Sequence, residues 1–131
     1  MTRVSAIVVT YHTGPRLKEC LYALNADPDI SETIIVDNGN PPETSGWLAS
    51  FCADRKAFHL LTGHGNIGFG TGVNLGVESA SGNDILVINP DAVLRWGSVA
   101  SLQAASKSCQ TPWIVGGKIF DIAGCETRGP R

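Results

Sequence analysis

The chain has 131 residues, 43% of them hydrophobic, with 10 basic and 12 acidic side chains and a formal net charge of −2. That length suits one domain with a real core, and a near-neutral charge without like-charge blocks argues against general electrostatic binding to nucleic acid. No apolar run approaches the ~20 residues that span a bilayer, and Met-Thr-Arg-Val leads straight into a strand pattern, so the expectation is a cytoplasmic protein with no transmembrane segment.

Val4 to Thr10 is almost continuously apolar, the mark of a strand covered on both faces as in parallel sheets. Tyr11-His12-Thr13-Gly14-Pro15 follows as a loop, with Thr13 a candidate N-cap and Pro15 suited to a first turn. Leu17, Cys20, Leu21 and Leu24 then recur at helical spacing, and Pro28 stops the helix. Thr33 to Val36 reads as a second strand running into Asp37-Asn38-Gly39-Asn40-Pro41-Pro42, a strong loop signal. Ser45 is a candidate cap for a helix whose apolar side is Trp47, Leu48, Phe51 and Cys52. Ala57 to Thr62 is a third strand, interrupted by His59, and Gly63-His64-Gly65-Asn66 is a loop.

Three glycines at alternate positions, Gly68, Gly70 and Gly72, open the next helix. Val73, Val77 and Ala80 are its expected buried side, Gly76 permits close packing, and Gly82 closes it in the C′ role. Asp84 to Ile88 reads as a buried central strand ended by Pro90, which places Asp91 just past its carboxyl end. A helix over Ser98 to Ser108 follows, with Val99 and Leu102 facing inward. Trp113–Val115 and Lys118–Phe120 are expected as short strands, and residues 121–131 as an irregular polar end. Strands alternating with helices give an α/β fold with a mostly parallel sheet and right-handed crossovers, in one domain over 1–131.

In such a sheet the strand ends Tyr11-His12, Asp37-Asn38 and Asn89-Pro90-Asp91 converge on one edge, where open α/β sheets bind ligands. Asp37 suits hydrogen bonds from a base or ribose, although Asp37-Asn38-Gly39 also reads as a plain turn, and His12 as a structural residue. The glycine run is not a dinucleotide fingerprint, because Val73 stands at the third glycine position and the run does not follow the first strand. Gly116-Gly117-Lys118-Ile119 lacks the upstream glycine and the Ser/Thr of a phosphate-binding loop. No nucleophile elbow is present, and the aromatics do not alternate with basic residues. The four cysteines have no metal-ligand spacing and read as buried free thiols.

Taken together, these segments resemble the family 2 glycosyltransferases, inverting enzymes of the GT-A fold that use nucleotide-sugar donors. Ser5-Ala6-Ile7-Val8-Val9-Thr10-Tyr11-His12 is similar to the family's opening strand, and Ile34-Ile35-Val36-Asp37-Asn38-Gly39 to its I-V-D-N segment. Asn66-x-Gly68-Phe69-Gly70-x-Gly72-x-Asn74-x-Gly76 resembles its glycine-rich motif. Asn89-Pro90-Asp91 stands where many members carry D-x-D and resembles the variant of the rhamnosyltransferase-like branch. Lys118-Ile119-Phe120-Asp121 with Gly124 resembles that branch's next strand and turn.

The resemblance implies that Thr10, Tyr11 and Asp37, with the adjoining His12 and Asn38, line the base and ribose pocket. It implies that Asn66, Asn74 and the backbone at Gly68 and Gly70 approach the donor. Asn89 and Asp91 would sit at the diphosphate, Asp91 holding Mg²⁺ or Mn²⁺. The acceptor implied is a saccharide or a lipid-linked saccharide, as in polysaccharide biosynthesis, with peripheral contact at the inner face of the membrane. His12 stands where the family has Asn, and Asn89 replaces one acid of the pair. Only Asp121 and Glu126 follow Asp91, neither in a recognisable base motif, so the catalytic base is expected beyond Arg131 and the acceptor half is expected to be missing. Self-association as a homodimer through exposed apolar surface fits that picture. Two other classes stay open: a non-catalytic assembly module that keeps the fold, and a sugar nucleotidyltransferase, which would carry its activating loop where Tyr11-His12-Thr13-Gly14-Pro15 stands.

Overall fold

A computed structural model describes residues 2–127; of the polar end expected over 121–131, residues 128–131 lie outside the described residues. The chain forms two units that divide between Arg95 and Trp96. In the first, β1 (Val4–Thr10), α1 (Arg16–Ala26), β2 (Ile30–Asp37), α2 (Pro42–Ala53), β3 (Phe58–Leu61), α3 (Phe69–Ser79) and β4 (Asp84–Val87) alternate. The sheet order is β3-β2-β1-β4, and each neighbouring pair is parallel.

All seven residues of β1 are buried, because helices cover both faces of the sheet around it. On one face Ala6, Val8 and Ile35 pack with Leu17, Cys20, Leu21 and Leu24 of α1 and with Leu48 and Phe51 of α2. On the other, Ile7, Val9, Ile34 and Val36 meet α3. There Val73, Leu75 and Ala80 pack on the cluster, and the closest approach is made by glycines: a Cβ on Gly76 would lie 2.7 Å from Ile7 Cγ2, and one on Gly72 would lie 3.1 Å from Val9 Cγ1. The α3 backbone therefore rides closer to the sheet than side chains would allow, and Gly72 and Gly76 are its buried residues.

The structure departs from several of these expectations. Val77 is exposed rather than buried, since the glycine stripe turns it away from the sheet. Helix α1 begins after Pro15 without a side-chain cap, so Thr13 is not its N-cap. Ser45 lies inside α2, which starts at Pro42, and caps nothing. Strand β2 is longer than expected, from Ile30 to Asp37, and β3 is shorter. Among the described residues β4 is an edge strand, not a central one, with Ile85 and Val87 exposed.

Gly82 does not close α3, whose C-cap is Ala80. Gly82 is required by packing: a Cβ there would meet Ser5 Oγ at 2.5 Å and the Arg3 carbonyl and Ser5 amide at 2.8 Å. This close approach belongs to a polar cluster at the amino edge of the sheet, centred on Glu32. Its Oε1 accepts from Ser5 Oγ (2.6 Å), the Ser81 amide (2.6 Å) and Ser81 Oγ (2.9 Å), while Ser5 Oγ accepts from the Gly82 amide at 2.8 Å. Arg3 reaches the Ser81 carbonyl and hydroxyl, and His59 Nε2 lies 3.6 Å from Oε2. Burial pushes the Glu32 carboxyl up, but the hydrogen bonds from Ser5 and Ser81 and the nearby His59 outweigh it and hold its pKa below the ordinary value. One carboxylate thus ties the start of β2 to β1 and to the turn that leads into β4.

The second unit contains α4 (Ser98–Ser106), with Val99 buried, and a two-residue antiparallel pair, β5 (Ile119–Phe120) with β6 (Glu126–Thr127). The expected strand at Trp113–Val115 is not formed. Asp121 shapes the hairpin turn: its Oδ1 accepts from the amides of Ala123 and Cys125, both at 2.9 Å. The cysteines are all free, but only Cys20 is fully buried; Cys52 is half-buried, and Cys109 and Cys125 are exposed, contrary to the expectation of four buried thiols.

Candidate functional site

With β2 on one side of β1 and β4 on the other, the chain winds outward in both directions from β1. The crevice opens at the carboxyl ends of β1 and β4, the switch point where parallel sheets bind ligands. Thr10 and Asp37 are register partners at the last step of the β1–β2 ladder, so the ends of both strands are held level. Beyond β4, Asn89-Pro90-Asp91 forms a turn in which the Ala92 amide donates to the Asn89 carbonyl at 3.0 Å.

The floor on the β2 side is a buried polar lattice. Asp37 Oδ1 accepts from the Gly39 amide (3.0 Å) and from Asn40 Nδ2 (2.7 Å), and Oδ2 accepts from Ser45 Oγ (2.9 Å). Asn40 Nδ2 also donates to Thr10 Oγ1 at 2.9 Å, and Asn40 Oδ1 accepts from the Thr13 amide at 3.1 Å. Ser45, read from sequence as a helix cap, is thus a partner of Asp37. Asn38, 2% exposed, reaches the other way: its Nδ2 donates to the Gly68 carbonyl at 2.9 Å, and its Oδ1 lies 3.0 Å from His64 Nε2.

That bond lands on the start of α3. The Gly68 carbonyl also accepts from the Gly72 amide at 3.1 Å, closing the first helical turn, and Asn66 Oδ1 accepts from the Gly68 amide at 3.0 Å. Gly68 sits at φ +83°, a conformation in which a Cβ would be strained. Among the described residues no side chain caps the start of α3. Gly72 leaves room for the Asn38 amide, whose Nδ2 would lie 3.4 Å from an added Cβ.

The structure therefore brings Thr10, Asp37, Asn38, Asn66 and Gly68 into one connected lattice. Tyr11 is 54% exposed at the mouth and its ring lies against Gly39, while His12, at φ +45°, meets that ring edge-on and donates its amide to the Gly39 carbonyl at 2.9 Å. Gly70 lies in the first turn of α3; Asn74 is on the same helix and exposed. Asn89 and Asp91 are exposed on the β4 side. Below them, Cys20 Sγ donates to the Asn89 carbonyl at 3.6 Å, and burial, helped by the Asp91 charge, pushes that thiol up to about 12. Asn40, Ser45 and His64 were missed by sequence reasoning; the first two were read as turn and cap residues, and His64 as loop.

Among the described residues no group of three or more His, Cys, Asp or Glu side chains gathers to hold a metal ion. Asp91 is a lone exposed carboxylate. That donor set does not make a protein cage, but it fits a hard divalent cation that shares its coordination with phosphate oxygens and water, for which one or two carboxylates suffice. No helix is long and apolar enough to cross a membrane among the described residues.

A family model described as "Glycosyl transferase family 2" matches residues 5–115. No curated protein matches the chain. Among solved structures, the mannosyltransferase PcManGT from Pyrobaculum calidifontis, in complex with GDP-Man and Mn²⁺, is 19% identical with a TM-score of 0.73, over 82% of this chain and 33% of that one. TarS from S. aureus (residues 1–349), in complex with UDP-GlcNAc, is 18% identical with a TM-score of 0.68, over 90% of this chain and 38% of that one. The likeness is one of fold, and the chain spans about a third of the length of the first and less than two fifths of the second.

Proposed function

The chain belongs to glycosyl transferase family 2, and we propose that its crevice is the donor site of an inverting sugar transfer from a nucleoside-diphosphate sugar. The observation that carries the reading is the lattice joining Thr10, Asp37, Asn38 and Gly68 at the carboxyl edge of the sheet, facing Asn89 and Asp91 across the switch point. A preformed polar floor on one side and a lone carboxylate on the other suit a ligand with a nucleoside at one end and a diphosphate at the other. The nucleotide sugars held by the two fold relatives support the same assignment.

In this reading Asp37 and the Thr10–Asn40 pair receive the base and ribose, with the exposed Tyr11 ring at the mouth and His12 beside it. Asn66, Gly68, Gly70 and Asn74 approach the sugar-bearing part, and Asn89 and Asp91 meet the diphosphate. Asp91 would hold Mg²⁺ or Mn²⁺, which stabilises charge on the departing nucleoside diphosphate. Asn89-Pro90-Asp91 supports the rhamnosyltransferase-like branch, and the acceptor is a saccharide or lipid-linked saccharide.

Inverting transfer also needs a base at the acceptor hydroxyl. Asp121 Oδ1 accepts two amides of its own turn and Glu126 lies 3.7 Å from Lys118, and in this reading neither is assigned as that base. The chain accordingly binds donor without completing transfer by itself. Calorimetric titration with UDP, dTDP and GDP, each with and without Mn²⁺, tests this on wild type and Asp91→Ala. Metal-dependent binding of one nucleotide, weakened at least tenfold in the variant, is expected, a loss of about 1.4 kcal/mol or more. Absence of binding by all three would instead favour a fold-retaining module without a donor site.

A further inference from the structure

Resting on that donor-site reading, we infer that His64 is a positioning residue that sets the glycine-rich loop through Asn38. The hydrogen-bond chain has only one consistent polarity. The Gly68 carbonyl can only accept, so the Asn38 amide must turn its Nδ2 toward Gly68, at 2.9 Å, and its Oδ1 toward His64. Oδ1 can only accept, so His64 Nε2, 3.0 Å away, must carry a proton and donate it. Nδ1, with no hydrogen-bond partner among the described residues, takes no part in fixing the tautomer.

The consequence reaches the ligand side of the site. Asn38 is 2% exposed, so water does not compete for its amide, and a flipped amide would set oxygen against the Gly68 carbonyl oxygen. His64 blocks that flip by offering a donor where only oxygen is welcome. The Gly68 carbonyl, doubly bound by Asn38 Nδ2 and the Gly72 amide, then fixes Gly68 at its positive φ and the first turn of α3. His64 acts two bonds away from any donor contact, by holding the polarity of the chain that places the loop.

Gln presents its amide near the position of His Nε2, whereas Ala presents nothing. His64→Ala should weaken binding of whichever of UDP, dTDP and GDP wild type takes up by about three- to tenfold, the worth of one hydrogen bond. It should also speed amide exchange at Gly72 in the unliganded protein, and His64→Gln should restore both. Nitrogen-detected spectra of the unliganded imidazole should show the proton on Nε2. A proton on Nδ1 alone, an unchanged Gly72 amide in His64→Ala, or a Gln variant as impaired as Ala would each overturn the role. A wild type that binds none of the nucleotides overturns the donor-site reading instead, and the tautomer and exchange measurements still decide His64.

Discussion

Neutralising Glu32 tests whether one carboxylate fastens the amino edge of the sheet. In Glu32→Gln the shape is kept, and an oxygen remains to accept from Ser5 and Ser81. What changes is charge: hydrogen bonds to a charged group contribute about 1.5–3 kcal/mol each and neutral ones about 0.5–1.5. Three donors share one oxygen and do not add independently, so the loss should be about 2 kcal/mol at neutral pH, or roughly 5–10 °C in melting temperature for a chain of this size. The pH dependence carries a sign. The folded-state pKa lies below the ordinary value of 4.5, so the carboxylate's contribution is complete above about pH 4.5 and is lost as pH falls through the folded-state value. Denaturant melts of wild type and Glu32→Gln from pH 7 down to pH 3 should therefore converge at the acid end, as the wild-type carboxyl takes up a proton. Equal stability at pH 7, or a gap that persists undiminished at pH 3, would refute the account.

Two glycines of α3 should respond to alanine with opposite signs in denaturant melts. Gly76→Ala gains helix propensity of about 1 kcal/mol but forces a Cβ to within 2.7 Å of Ile7 Cγ2, in a strand with no room to move, for a net loss of about 1 kcal/mol. Gly70 has nothing within 4 Å of an added Cβ, so Gly70→Ala should stabilise by up to about 1 kcal/mol; matching effects at both positions would contradict the packing described. Thiol labelling of the native protein at pH 8, mapped by mass, should modify Cys109 and Cys125 and leave Cys20, whose thiol is pushed up to about 12, untouched. Labelling of Cys20 as fast as Cys109 would mean that the floor beneath Asn89 is open.

What was legible in the sequence is what burial writes into residue type. Val4–Thr10 and the Ile34-Ile35-Val36 run are apolar at every step because both faces of those strands are covered, and Leu17, Cys20, Leu21 and Leu24 mark one face of α1. The reading of α3 was right for Gly76, which packs closely on Ile7, and for Val73 and Ala80, which pack on the same cluster. It was wrong for Val77, which is exposed, and it missed the contact of Gly72 with Val9, because a residue without a side chain is hidden from any apolar count. The run at β4 looked like a central strand because composition does not report how many neighbours a strand has. Within the site, Asp37 and Asn38 were picked out by their place after a strand, and Thr10 only through the family resemblance. Ser45 and Asn40 were not, since each also suits a cap or turn and only the folded chain brings them to Asp37. His64 left no local signal at all; the need for it arises from a buried Asn38 oxygen 26 residues earlier.

The pairing of β1 with β4 has a kinetic side. Val4 meets Ile30 across one ladder and Asp84 across the other, so the first pairing closes a loop of about 26 residues and the second one of about 80. The longer loop carries the greater closure entropy, and the four-residue β4 has only one described neighbour to offset it. Contact between β4 and β1 is thus the pairing of greatest sequence separation in the sheet. The crevice inherits that contrast: its Thr10–Asp37 wall joins strands near in sequence, and its Asn89–Asp91 wall follows a strand paired with one far from it in the chain.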